Sequence, residues 1–186
     1  QAAATRAQAL WGSTVRVGTV GNFYHLLDAT RGPLYRDVFT VCDVYATSYY
    51  PINADYTMAA PTRVQADFDL LAGGFTGKPI YILGAGYSSA PVCNSSDSLQ
   101  AAFIQHLYTA WDAHSAAIPA VGFTLLHDAN PADIDTLIVR NNLTGNPNEA
   151  RIRGFFGNLG LRTRAGSGSD KPAMATLRTE RDRRGW

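Results

Sequence analysis

Short apolar runs alternate along the chain with stretches whose apolar residues recur every three or four positions. Residues 14–20 (TVRVGTV) are rich in β-formers and partly alternate, and Gly21-Asn22 closes them, which predicts a first strand. A short amphipathic helix is expected over 33–39. Residues 43–49 (DVYATSY) predict a second strand, closed by Tyr49-Tyr50-Pro51. Pro61 then opens a helical pattern over 62–73, with Val64, Phe68 and Leu71 on one face. The run 79–83 inside KPIYILGAGYSS predicts a third strand buried on both faces. The clearest helix is 96–114, where Leu99, Phe103, Leu107, Tyr108 and Trp111 share a face. Residues 120–126 (AVGFTLL) predict a fourth strand ending at His127-Asp128. Beyond it come a short helix over 131–139, a loop over 141–148, a structured turn over 151–160, a flexible connection at 165–169 and a last helix over 172–183.

Strands that alternate with helices imply a parallel sheet with right-handed crossovers. The expected class is α/β, with four parallel β/α units in a single domain over 1–186. Four units fall short of a closed eight-stranded barrel, which needs about 250 residues. They predict half of a TIM barrel or an open parallel sheet. Either leaves two unpaired strand edges, a hazard that a second chain or a missing N-terminal half would remove. Loops at 1–12 and 141–148 are the alternative cover.

Composition narrows the class. The chain has 186 residues, 46% of them apolar and 17% charged, with a net charge of +1. Such a length buries roughly 70% of the unfolded surface. The charge balance argues against a nucleic-acid partner, and no run of eighteen apolar residues suggests a membrane span. The basic tail RTERDRR carries interspersed acids and reads as a solvated helix end. Gln1 in place of methionine suggests a trimmed or processed chain. Cys42 and Cys93 are expected at opposite ends of the sheet and unpaired. Asn94-Ser95-Ser96 and Asn142-Leu143-Thr144 are glycosylation sequons, meaningful in a secreted eukaryotic protein.

Several runs, in order, resemble one family. VCDVYATSYYPIN is similar to the sixth strand of retaining glycoside hydrolases of the large (β/α)8-barrel clan. KPIYILGAGYSS resembles the seventh strand and VGFTLLHDAN the eighth. GLRTRAGSGSDKPAMATL resembles the closing "GLr…KpAw" segment, and VRVGTVGNFYHLL fits the fifth strand. The resemblance covers nearly the whole chain and only the C-terminal half of such a barrel, strands five to eight. It implies a carbohydrate ligand and an extracellular or secreted setting. It also places Gly84 where the family carries its nucleophilic glutamate, and it leaves the acid/base glutamate on a fourth strand this chain lacks.

The residues themselves point the same way. Retaining hydrolysis needs two carboxyl groups about 5–5.5 Å apart, and the chain has only two glutamates, Glu149 and Glu180, neither at a predicted strand end. Among the aspartates Asp128 ends a strand, whereas Asp43 sits at the opposite end of its own. His127 with Asp128 can act as a general base, or can hydrogen-bond loops at the sheet rim. Ser88, in GYSSA, is a near miss of the G-x-S-x-G elbow and with His127 as base would form an esterase-like site. Phe23, Tyr24, His25, Tyr49, Tyr50, Gly84 and Tyr87 fall at predicted carboxyl ends, where an aromatic rim suits a sugar or an aromatic small molecule. No His/Cys/Asp spacing indicates a metal and no glycine pattern a cofactor. Three readings follow: a glycoside hydrolase-related fragment or variant with altered or residual activity, a non-catalytic carbohydrate-binding or structural module, and an ester hydrolase using Ser88 and His127.

Overall fold

The computed structural model describes residues 2–12, 14–164 and 166–186. Its strands are β1 (Gly18–Asn22), β2 (Val44–Tyr49), β3 (Ile80–Ala85) and β4 (Ala120–Phe123). They form one parallel sheet in chain order. Helix α1 (Ala2–Trp11) precedes β1. Helices α2 (Phe23–Leu27) and α3 (Arg31–Phe39) connect β1 to β2, and α4 (Arg63–Gly74) connects β2 to β3. A 3₁₀ turn (Pro91–Cys93) and α5 (Asp97–His114) lead to β4. Helices α6 (Pro131–Arg140), α7 (Glu149–Gly157) and α8 (Pro172–Arg183) follow. The expected α/β class with four parallel β/α units therefore holds, and it is compatible with a half barrel or an open sheet.

The differences from the sequence reading have local causes. Residues 2–11, expected within a loop, form α1 because AAATRAQALW is built almost wholly of good helix formers; Gln1 lies outside the described residues. Strand β1 runs through Gly21-Asn22 instead of stopping there. The Asn22 side chain accepts from the His25 amide at 3.2 Å, so one residue ends the strand and caps α2. Strand β3 continues to Ala85, which puts Gly84 inside the strand, and β4 stops at Phe123. The expected turn over 151–160 is the helix α7. Of the 165–169 connection, Ala165 lies outside the described residues, while Gly166 and Gly168 take positive φ.

The chain divides into two compact units. The first comprises Gln1–Tyr49, Ala66–Ala85 and Trp111–Gly122 and carries the sheet. Tyr45 of β2 packs edge-on against Phe39 and Phe75 at 4.9 and 5.3 Å between ring centroids. At the other end of β2, the Tyr49 ring meets Phe23 at 4.7 Å and Phe68 at 5.4 Å. Lys78 ties the helix layer to the sheet: its ammonium donates to the carbonyls of Phe39, Thr40 and Cys42 at 2.8, 2.9 and 2.6 Å. Those carbonyls lie at the negative C-terminal end of α3, where a cation is favoured. Val20 and Leu83 are 56% and 54% exposed, which is unusual in a parallel sheet, normally covered on both faces.

The second unit comprises Tyr50–Gln65, Gly86–Ala110 and Phe123–Trp186. Ile134, Ile138 and Ile152 join α6 to α7. A hairpin over 161–171 is stitched to the chain beyond β4: the Arg162 amide donates to Leu126 O, and the Asp128 amide donates to Arg162 O, both at 2.9 Å. Within the hairpin, Thr163 N donates to Ser169 O and Lys171 N to Leu161 O. Cys42 and Cys93 are both free thiols. No helix among the described residues is long and apolar enough to cross a membrane.

Lys78→Met keeps the aliphatic stem but leaves three carbonyls without their charged donor. The expected loss is about 1–3 kcal/mol, read as a lower urea midpoint at unchanged m-value.

Candidate functional site

In α/β proteins of this kind, ligands gather beyond the carboxyl ends of the strands. In the first unit that end carries Phe23, Tyr24, His25, Tyr49 and Gly84. A bulge shapes it. Thr47 of β2 faces Ile82, but the next residue, Ser48, faces Gly84, so Leu83 is an extra residue in β3. Bulges re-aim the residues that follow them and are common beside sites. Gly122 of β4 accommodates the bulge, since a Cβ there would lie 2.9 Å from Leu83 O. Phe23 and Tyr49 are 2% and 0% exposed, and the Tyr49 hydroxyl donates to the buried Asp67 carboxylate at 2.9 Å. These two rings are committed to packing. Tyr24 and His25 remain half-buried. The His25 imidazole is in hydrogen-bond contact with the Arg31 guanidinium. Asp43, at the opposite strand end, accepts from Val17 N at 2.8 Å and so helps align β1 with β2.

The second unit holds Tyr50, Tyr87, Ser88, His127 and Asp128. The Tyr50 hydroxyl bonds Thr124 Oγ1 at 2.8 Å, and its ring stands edge-on to Phe155. Tyr87 is 2% exposed, stacks on Phe103 and donates its hydroxyl to Ala59 O at 2.8 Å. Burial pushes its phenol above the ordinary value. Ser88 is fully buried; its Oγ donates to Gly154 O and accepts from Ala90 N, both at 3.2 Å. His127 turns elsewhere, with Nε2 at 3.5 Å from Arg162 Nη1.

Asp128 is the centre of a buried polar cluster that the sequence reading missed. The Lys171 ammonium lies 2.7 Å from Asp128 Oδ1, with side chains only 5% and 14% exposed. The same oxygen accepts from Gly160 N at 3.0 Å, and Lys171 Nζ also reaches Ser89 Oγ at 3.2 Å. Gly160 allows the approach, because a Cβ there would lie 2.2 Å from Asp128 N. Nearby, Gln100 Nε2 points at four carbonyls and donates to Tyr87 O at 2.8 Å and Gly160 O at 3.1 Å. Asp128 and His127 thus serve different partners, as adjacent residues of an extended segment do. The only advance sign of Lys171 is its place in the lysine-proline pair that opens α8.

Both glutamates are engaged by groups close to them in sequence. Glu149 accepts from Arg153 Nε at 2.8 Å and from Gly145 N at 2.7 Å. The Arg153 guanidinium holds its carboxyl below the usual glutamate range. Glu180 accepts from Arg184 Nη1 at 2.7 Å. Among the described residues no cluster of three or more His, Cys, Asp or Glu side chains is arranged to hold a metal.

No family model matches the chain. No curated protein matches it either. Among solved structures it is similar to an active-site mutant of the beta-1,3-glucanosyltransferase of Rhizomucor miehei in complex with laminaritriose. The TM-score is 0.54 at 14% identity, over 94% of this chain and 56% of that one. At that identity the likeness establishes the fold alone: the chain shares the α/β arrangement of that structure and spans little more than half of its length.

Lys171→Met removes one partner of the buried pair and is expected to cost about 3–5 kcal/mol, most of it recovered in Lys171→Met/Asp128→Leu. Chemical denaturation of the two variants checks this. Tyr87 adds an alkaline dependence. Its phenol ionises near 10 when unfolded and higher when folded. Stability is therefore expected to fall as pH rises from about 10 through the raised folded value, and Tyr87→Phe should flatten that fall in thermal melts.

Proposed function

We propose that the protein is related to glycoside hydrolases and holds carbohydrate without cleaving it by the two-carboxylate retaining route. The observation that carries this reading is where the acids are. Glu149 and Glu180 are tied to arginines of their own helices and Asp128 to Lys171; the family resemblance of the sequence sets Gly84 of β3 at the nucleophile's position, which supports the reading. A glycine neither attacks a sugar carbon nor protonates a leaving group. In the first unit the half-buried Tyr24 and His25 are the proposed ligand contacts, with Phe23 and Tyr49 packed behind Tyr24; in the second unit Tyr50 is a separate candidate. The similar solved transferase was obtained with laminaritriose, which makes a β-1,3-linked glucan the first ligand to try.

A second element of the proposal concerns the sheet. Its outer strands β1 and β4 each have one neighbour, and Val20 and Leu83 stand exposed. Pairing with a second copy, or with four further β/α units, would satisfy both edges.

Calorimetry is expected to show laminaritriose binding that Tyr24→Ala weakens. Nitrophenyl glycosides should remain intact in the same preparation. Glycoside turnover with retention of configuration would overturn the reading, and ester turnover abolished by Ser88→Ala would replace it with serine chemistry. Light scattering of the isolated chain should give twice the mass of 20.1 kDa; a clean monomer would count against pairing between copies.

A further inference from the structure

The hairpin over 161–171 creates a cavity of about 340 Å³ lined by His127, Arg164, Gly166 and Ser167. That size is within the range of small-molecule sites. The cavity adjoins the segment that leaves the carboxyl end of β4.

Its electrostatics are one-sided. Asp170 is shared by Arg162, at 2.7 Å, and Arg178. Asp128 is consumed by Lys171. Among the described residues Arg164, which is exposed, has no carboxylate partner. Of the residues lining the cavity Arg164 carries the charge, so the cavity is positive.

The imidazole adds a hydrogen-bonding ring, in contact through Nε2 with Arg162 Nη1 at 3.5 Å. The ring is held by the hairpin. A Cβ at residue 168, where φ is +78°, would lie 2.7 Å from His127 Cδ2 and 2.5 Å from Thr163 O. Only glycine lets the hairpin close on the imidazole. Ser167 and Gly166, the latter also at positive φ, complete the lining. A guanidinium fork, an imidazole and a hydroxyl suit an oxyanion. A neutral sugar would not need the charge.

We propose that this cavity recognises an oxyanion substituent carried on a sugar, a uronate carboxylate or a sulfate ester. The proposal rests on the carbohydrate reading above and narrows it to acidic glycans.

Isothermal titration of the whole chain tests it with four probes at low salt: a galacturonic acid trimer, a sulfated trisaccharide, neutral laminaritriose and sodium sulfate. At least one acidic sugar is expected to bind about tenfold more tightly than laminaritriose, one charge-assisted hydrogen bond's worth of affinity. Whichever it is tells a carboxylate site from a sulfate site. Arg164→Gln should erase the advantage, Arg164→Lys should keep part of it, and high salt should reduce it. Equal affinity for acidic and neutral sugars, or an advantage that survives Arg164→Gln, overturns the inference and leaves the carbohydrate reading intact. Sodium sulfate binding as tightly as the acidic sugars overturns the claim that the anion is sugar-borne. No binding of any sugar defeats the carbohydrate reading as well.

Discussion

The buried ion pair between Lys171 and Asp128 constrains the second unit more than any other contact. A lysine ammonium taken out of water is tolerated only with a carboxylate beside it and further hydrogen bonds around it. Both conditions are met here: Oδ1 takes a second bond from Gly160 N, and Nζ reaches Ser89 Oγ. The pair joins a residue just past β4 to one 43 positions later, at the start of α8. It therefore fixes where the 161–171 hairpin lies and how His127, the neighbour of Asp128, is presented. Lys78 does comparable work in the first unit by gathering three carbonyls at the end of α3.

The same constraint decides the chemistry. A carboxylate held by a buried lysine and a backbone amide is committed to those partners. Asp128 and both glutamates, paired to basic side chains, thus help maintain the fold. On the proposed reading, binding is assigned to aromatic and basic residues: Tyr24 and His25 in the first unit, and His127 and Arg164 in the hairpin cavity of the second.

The parallel sheet was legible because its signals are local. IYIL between Pro79 and Gly84, and VYATSY after Asp43, show a β-rich apolar run with turn residues nearby, and both became strands. Helix α8 matched residue for residue because Pro172 marks its first turn. Asn22 was harder. Read as a turn residue it ended the strand, while its capping of α2 depends on a hydrogen bond three residues away. The bulge at Leu83 has no sequence signature, since it is a mismatch in pairing with β2 and belongs to neither strand alone. Among the site residues, the aromatic positions were found but not their burial: Tyr49 and Tyr87 carry the same side chain as Tyr24, and only packing separates core ring from half-buried ring.

By itself the sequence determined the order of strands and helices, the scarcity of glutamate and the glycine at position 84. Each is a matter of residue identity or of periodicity within a few turns. Tertiary structure decided which charges meet. Lys171 with Asp128, Arg162 with Asp170 and His127 with Arg162 are partners chosen by the docking of the hairpin, over separations of 43, 8 and 35 residues for the first, second and third pair. An ion pair takes its strength from burial and distance, and neither exists until the chain has folded around it.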